Sequence, residues 1–173
     1  MTKADATTLL THMEWADAMV WNTVNALDPA RTDAALKGRL HHVHLVQRIY
    51  LQIWQGQPHE VRELGSFASV EDVHVWARQY YAELRNALRM LEPSQLERPV
   101  TFPWADELVK WFGQARTATM QETIQQVAVH TAHHRGQLAT MIRQLGGTPP
   151  LVDFIAWIWM GKPDPAWAPP QTA

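Results

Sequence analysis

Cysteine is absent from the 173 residues of this chain. The absence excludes disulfide bonds, thiolate metal ligands and a cysteine nucleophile, so the thiol in any thiol reaction must come from a second molecule. It is also consistent with a reducing compartment, and we expect the protein to be cytoplasmic.

Long apolar runs are absent as well. The longest, FIAWIWM at residues 154–160, is far shorter than the roughly 20 residues that span a bilayer. Glu14 and Asp17 interrupt the first twenty residues, which therefore lack the composition of a signal peptide. We expect no membrane partner.

Neither sign of charge is in large excess. The formal net charge is -2 with neutral histidines, and no basic face stands out, so nucleic acid is not an expected partner. Hydrophobic residues make up 46% of the chain, which is usual for a soluble globular protein. We predict one domain over residues 1–160, followed by a loosely held, proline-rich tail over residues 161–173.

Four long segments have apolar residues at helical spacing. The third begins at Ser69, a predicted N-cap with Asp72 three residues later. Between the third and fourth segments lies a long connection, for which we predict a short strand pair or a helical turn. A further short helix is predicted at residues 153–160. The pattern favours an all-α fold, a four-helix bundle with one long crossover. The four segments cover approximately residues 9–27, 32–55, 69–91 and 117–145.

The sequence HTAHH places three histidines near the middle of the fourth segment. His130 and His134 are one helical turn apart, about 6 Å along the axis, and both continue the apolar stripe. His133 aligns with polar residues instead. We therefore expect His130 and His134 to face inward and His133 to face solvent.

The second segment contains HHVHLVQRIY, with three more histidines. His42 aligns with Leu45, Val46, Ile49 and Ile53, and is the predicted inward residue. His44 aligns with Gln47, Arg48 and Gln55, which predicts a solvated position, and His41 lies at the border. The other three histidines are predicted to be surface or structural residues: His12, His59 and His74.

Two inward histidines at i and i+4, with a third from another helix, can hold one divalent ion and leave coordination sites open. Histidines buried in a core by hydrogen bonding are the competing interpretation, and the spacing alone leaves both open.

Other chemistries lack their motifs. His130 is followed by Thr131 rather than glutamate, and no serine-hydrolase elbow, phosphate loop or dinucleotide fingerprint occurs. No carboxylate is expected on a buried stripe near the histidines, and no catalytic residue can be assigned.

Three stretches resemble the DinB/YfiT-like superfamily of metal-binding proteins. HTAHHRGQLATMIRQLGGTPPLVDFIAWI, residues 130–158, is similar to the family's His-x-x-x-His-Arg-Gly-Gln helix and the segment after it. HHVHLVQRIYLQIWQG resembles the helix that carries the family's first metal histidine, which falls on His42. HMEWADAMVWNTV resembles the family's opening helix, with Asp17 where the family has asparagine.

The resemblance implies an up-down-down-up four-helix bundle with a metal held by His42, His130 and His134 at one end of the core. Zinc is the first expectation, with nickel or iron as alternatives. It also implies a homodimer. The implied activity is transfer of a low-molecular-weight thiol such as bacillithiol or mycothiol, or a related metal-assisted hydrolysis or isomerisation. The alternative is a non-catalytic, dimeric, stress-related metal-binding protein.

Neighbouring residues give further expectations. Arg135 follows a histidine and is predicted to form a surface ion pair. Gly136 is predicted to allow close packing against another backbone, and Gln137 to orient a histidine or to be solvated. Five large residues lie off or beside the predicted stripes and are the basis for a dimer interface. They are Trp21, Leu51, Tyr81, Trp111 and Phe112.

Overall fold

The structure is a computed structural model that describes residues 1–169. This part of the chain is mostly helical, as predicted, with one small sheet of two strands. No helix in it is both long and apolar enough to cross a membrane. The helices are α1 (Lys3–Asn25), α2 (Asp28–Thr32), α3 (Ala34–Trp54), α4 (Val70–Met90), α5 (Ala105–Phe112), α6 (Met120–Gln144) and α7 (Phe154–Trp159).

Side-chain caps fix where the long helices begin. Ser69 and Asp72 form a reciprocal capping box at α4, as the sequence predicts. Thr2 does the same at α1 and Thr119 at α6, so the hydroxyl oxygen of each accepts from a backbone N–H in the first turn. The four predicted long helices are confirmed as α1, α3, α4 and α6. The short helix α2 was not predicted, although Pro29 near its start is well suited to a first helical turn.

The connection between α4 and α6 contains both elements that the sequence left open. A 3₁₀ turn at Pro93–Glu97 precedes strand β1 (Pro99–Val100), and β1 pairs antiparallel with β2 (Ala118–Thr119). Helix α5 lies between the strands. The strand pair closes the crossover directly before α6, and so sets where the helix that carries His130 and His134 begins.

The buried face of α3 differs from the prediction. Leu45, Val46, Ile49 and Ile53 are only partly buried, whereas the buried set includes the polar residue Gln47. A pattern based on hydrophobicity missed this face because hydrogen bonds stabilise the buried polar groups. The buried residues of α3 are Leu36, Leu40, His41, Val43, His44, Gln47, Tyr50, Leu51 and Trp54.

A buried polar network joins all four long helices. Asp17 of α1 accepts a hydrogen bond from Arg135 Nη1 of α6 at 2.9 Å and one from Gln47 Nε2 of α3 at 2.8 Å. The Tyr81 hydroxyl of α4 also donates to Asp17. Gln47 Nε2 lies 3.1 Å from the hydroxyl oxygen of Thr131 on α6. Asp17 and Arg135 are almost fully buried, and each neutralises the charge of the other.

The described part of the tail, residues 161–169, is docked rather than loosely held. Trp167 donates from Nε1 to Glu14 at 3.1 Å, and its ring stacks on His74 at 5.7 Å between centroids. The backbone N–H of Ala168 donates to Asn22 at 2.8 Å. The proline-rich composition did not indicate these contacts, which come from one tryptophan and one backbone donor. The rest of the predicted tail lies outside the described residues.

The residues behind the predicted dimer interface divide into two groups. Trp21, Leu51 and Tyr81 are buried within the single chain, so they form no exposed patch. Trp111 and Phe112, both on α5, are 82% and 72% exposed. Most of the sequence argument for a dimer is therefore lost, and the homodimer stays a prediction.

The Asp17–Arg135 ion pair generates a stability prediction. We expect Arg135→Met to lower the free energy of unfolding by about 3–5 kcal/mol, because it leaves the Asp17 carboxylate buried without its cation. Urea denaturation at pH 7 measures the effect. Arg143→Met is the matched control, since Arg143 is an exposed arginine on the same helix. Equal midpoints for the two variants would contradict the assigned role of the pair.

Candidate metal centre

Three histidines from two helices converge at one point. His134 Nε2 of α6 lies 3.1 Å from His130 Nε2, one turn earlier on the same helix. It lies 3.2 Å from His42 Nε2, which α3 supplies. One ring nitrogen from each of the three lies within 4.8 Å of the others. The structure thus brings together the three histidines that the sequence singled out.

The spacing of the nitrogens fits a single metal ion. Nitrogens bound at about 2.0–2.1 Å, with angles between octahedral and tetrahedral values, lie roughly 2.9–3.4 Å apart. The separations of His134 Nε2 from His130 Nε2 and from His42 Nε2, 3.1 and 3.2 Å, fall within that range. His42, His130 and His134 could therefore hold a divalent ion.

The electrostatics favour the neutral form of two of these rings. Burial lowers the pKa of His42, and the neighbouring His134 and Arg39 lower it further. Burial likewise lowers the pKa of His130 to about 4, with His134 and His42 as the next causes. A neutral imidazole offers a nitrogen lone pair, which is the form that binds a metal.

Gln137 fixes the orientation of His134. Its Oε1 lies 2.7 Å from His134 Nδ1, and its Nε2 lies 3.2 Å from His133 Nε2. The oxygen accepts from Nδ1–H, which leaves the lone pair of His134 on Nε2, toward the other two histidines. A hydrogen bond of this kind to the second nitrogen is common around metal-binding histidines. The structure favours the orienting role of Gln137 over that of a solvated side chain.

The cluster is open to solvent on one side. His42 and His130 are partly exposed, and His134 is 9% exposed. His133 is exposed, as predicted, with its ring centroid 5.0 Å from that of His134. The protein therefore does not fully enclose the cluster.

Two other histidines of α3 are buried in the core. His44, predicted to be solvated, accepts from Trp21 Nε1 at 2.9 Å and bonds Gln47 at 2.8 Å, and burial lowers its pKa. His41 lies at a buried position with Nε2 2.6 Å from the Arg62 carbonyl oxygen. Both are satisfied by hydrogen bonds, as the competing interpretation of buried histidines expects. The sequence could not show this, because Trp21 and the Arg62 carbonyl lie outside α3.

The three remaining histidines are divided between core and surface. His12 lies 3.0 Å from the Val152 carbonyl oxygen, and His74 lies 3.2 Å from Asn25 Nδ2, so both are structural. Burial lowers the pKa of His74 to about 4. His59 is exposed.

Three expectations about the surroundings of the cluster need correction. Arg135 forms an ion pair, but a buried one, because its partner Asp17 is on α1 rather than on the same helix. Asp17 is itself a buried carboxylate, although Arg135, Gln47 and Tyr81 occupy its oxygens. Nothing lies within 4 Å of the position of a Cβ at Gly136, so no close backbone approach requires this glycine.

The fold and the site define a class: a helical protein with a three-histidine cluster that could hold a metal ion. The chain belongs to the DinB family, whose family model matches residues 1–167. A search of the curated proteins found no match. The match covers nearly the whole chain and includes α7 and Trp167 of the tail.

The cluster predicts a metal content near one ion per chain. We expect His42→Ala, His130→Ala and His134→Ala each to abolish binding, because two remaining imidazoles hold a divalent ion far more weakly. Elemental analysis of the purified variants measures the content. His133→Ala is the matched control and should keep its metal, since the His133 ring lies outside the cluster. Full metal retention in His134→Ala would refute the assignment.

Metal affinity should also depend on pH. The pKa of His42 lies below the ordinary histidine value of about 6.5. The pKa of His130 is lowered to about 4. Protons therefore compete with the ion for these two rings at a lower pH than for an ordinary histidine, at about 4 for His130. We therefore expect the apparent Kd to rise between about pH 6.5 and 4. Titrations at fixed ionic strength measure it, with circular dichroism as a check on folding. A constant Kd from pH 7 to 4 in folded protein would contradict histidine ligation.

Proposed function

We propose that the protein is a metal-dependent enzyme that transfers a low-molecular-weight thiol to an electrophile. The observation that carries the proposal is the convergence of three imidazole nitrogens, 3.1 and 3.2 Å apart, at a partly exposed position. Three nitrogen ligands suit zinc best, and nickel or iron(II) are alternatives.

When bound, such an ion supplies a Lewis acid that lowers the pKa of a thiol or water toward neutrality. The protein itself supplies the geometry. His42, His130 and His134 would hold it through Nε2, and Gln137 holds the ring of His134 in place. Because the chain has no cysteine, the thiol is a cosubstrate.

His133 is the group we propose as the proton acceptor. It is exposed beside the cluster, and its lone pair is on Nε2, to which Gln137 Nε2 donates at 3.2 Å, so His133 takes up the proton at Nε2 when the Gln137 amide turns away. The thiol gives its proton to this base, and sulfur forms a bond to the electrophilic carbon. The leaving group departs with the electron pair of the bond that breaks.

The main alternative is a non-catalytic, dimeric metal-binding protein. A purely structural site is usually closed by four protein ligands, whereas a catalytic site keeps an open position. The partial exposure of His42 and His130, and the polar side chains of His133 and Gln137 beside them, support the enzyme. Metal-assisted hydrolysis or isomerisation uses the same open site and is the closest related reaction.

The arrangement of the long helices is part of the same proposal. We propose the up-down-down-up bundle of the family, at one end of which the metal is held. The contacts of α3 with α4 and α6, and of α1 with α4 and α6, support this arrangement. A homodimer is proposed on the family resemblance and on the exposure of Trp111 and Phe112.

A screen of thiols tests the activity. Metal-loaded protein is mixed with bacillithiol, mycothiol or glutathione and with monochlorobimane, whose fluorescence rises when a thiol displaces its chloride. We expect a rate above the uncatalysed background with at least one thiol, and loss of that rate after chelation or in His134→Ala.

His133→Ala is the informative second variant. It should keep its metal and lose roughly 10²–10⁴-fold in rate, which is the usual contribution of a general base. If metal-loaded protein does not raise the reaction rate of any of the thiols with monochlorobimane, the result favours the non-catalytic alternative.

A further inference from the structure

Arg39 lies beside the histidine cluster on the same face of α3 as His42. Its Nη1 is 3.1 Å from His134 Nδ1, and its side chain is partly buried. A cation held next to a site that already attracts a divalent ion needs a compensating interaction.

The contact with His134 cannot be that interaction. Gln137 Nε2 donates to His133, which directs Gln137 Oε1 toward His134 at 2.7 Å. His134 Nδ1 therefore carries the proton that this oxygen accepts. Arg39 has only N–H donors, and a donor gains no hydrogen bond from a protonated nitrogen.

Among residues 1–169, no carboxylate oxygen lies within 4.0 Å of an Arg39 side-chain nitrogen. Other partly or fully buried arginines of this part of the chain do have one: Arg48 pairs with Glu83, and Arg135 with Asp17. The cluster adds no negative charge, since its three members are histidines. Among residues 1–169, Arg39 thus lies beside neutral imidazoles and forms no ion pair with a carboxylate of the protein.

We infer that Arg39 binds an oxyanion of the substrate, a carboxylate or a phosphate, while the reacting group lies at the three histidines. The inference rests on the proposed function for the location of the reacting group. A guanidinium presents paired N–H donors that match the two oxygens of such a group. The molecule that carries this group, either the thiol or its acceptor, is then a small anion.

Isothermal titration of the zinc-loaded protein tests the inference without any turnover. The probes are succinate, inorganic phosphate and, as a neutral control, succinamide. We expect succinate or phosphate to bind and succinamide not to bind, and the preferred anion identifies the oxyanion. Arg39→Gln should weaken anion binding at least about tenfold, as loss of a charge-assisted hydrogen bond predicts.

Two matched variants separate this role from others. Arg39→Lys keeps the charge and should lose less affinity than Arg39→Gln, while Arg143→Gln, at an exposed arginine of α6, should bind as the unaltered protein does. Unchanged anion affinity in Arg39→Gln would overturn the inference. Loss of zinc in that variant would also overturn it, because Arg39 would then act by positioning His134. Failure of the thiol screen changes neither readout, so the two proposals fail separately.

Discussion

The buried ion pair between Asp17 and Arg135 is the constraint on which the rest of the structure depends. An isolated charge in a helical core is costly, so each residue requires the other at hydrogen-bond distance. Gln47 and Tyr81 complete the coordination of the Asp17 carboxylate, and they bring one residue from each remaining long helix to the same point. Apolar packing alone tolerates sliding between helices, whereas these directional bonds fix their relative positions.

The histidine cluster benefits directly from this constraint. Arg135 is next to His134 in the chain, and Thr131, which Gln47 contacts, is next to His130. The network therefore holds the stretch of α6 that carries both histidines against α3, which carries His42. A metal site needs its ligands in place to within a fraction of an ångström, and a rigid second layer of hydrogen bonds provides that precision.

The sequence predicted the parts of this arrangement that depend on local pattern. The capping box at Ser69 and the one-turn spacing of His130 and His134 are short-range signals, and both correspond to the observed geometry. The buried positions of His44 and Arg135 were missed because their partners, Trp21 and Asp17, lie on another helix. Hydrophobic periodicity predicts that such residues face solvent, because it does not account for polar groups that form hydrogen bonds within the core.

The central claim is that three imidazoles of this chain form one metal site. X-ray absorption spectroscopy of the zinc-loaded protein tests it most directly, because it reports the number and type of ligands independently of mutation or activity. The account predicts three imidazole nitrogens at about 2.0–2.1 Å, together with one or more oxygen ligands from solvent. A spectrum with no more than one imidazole, or one dominated by carboxylate oxygens, would contradict it.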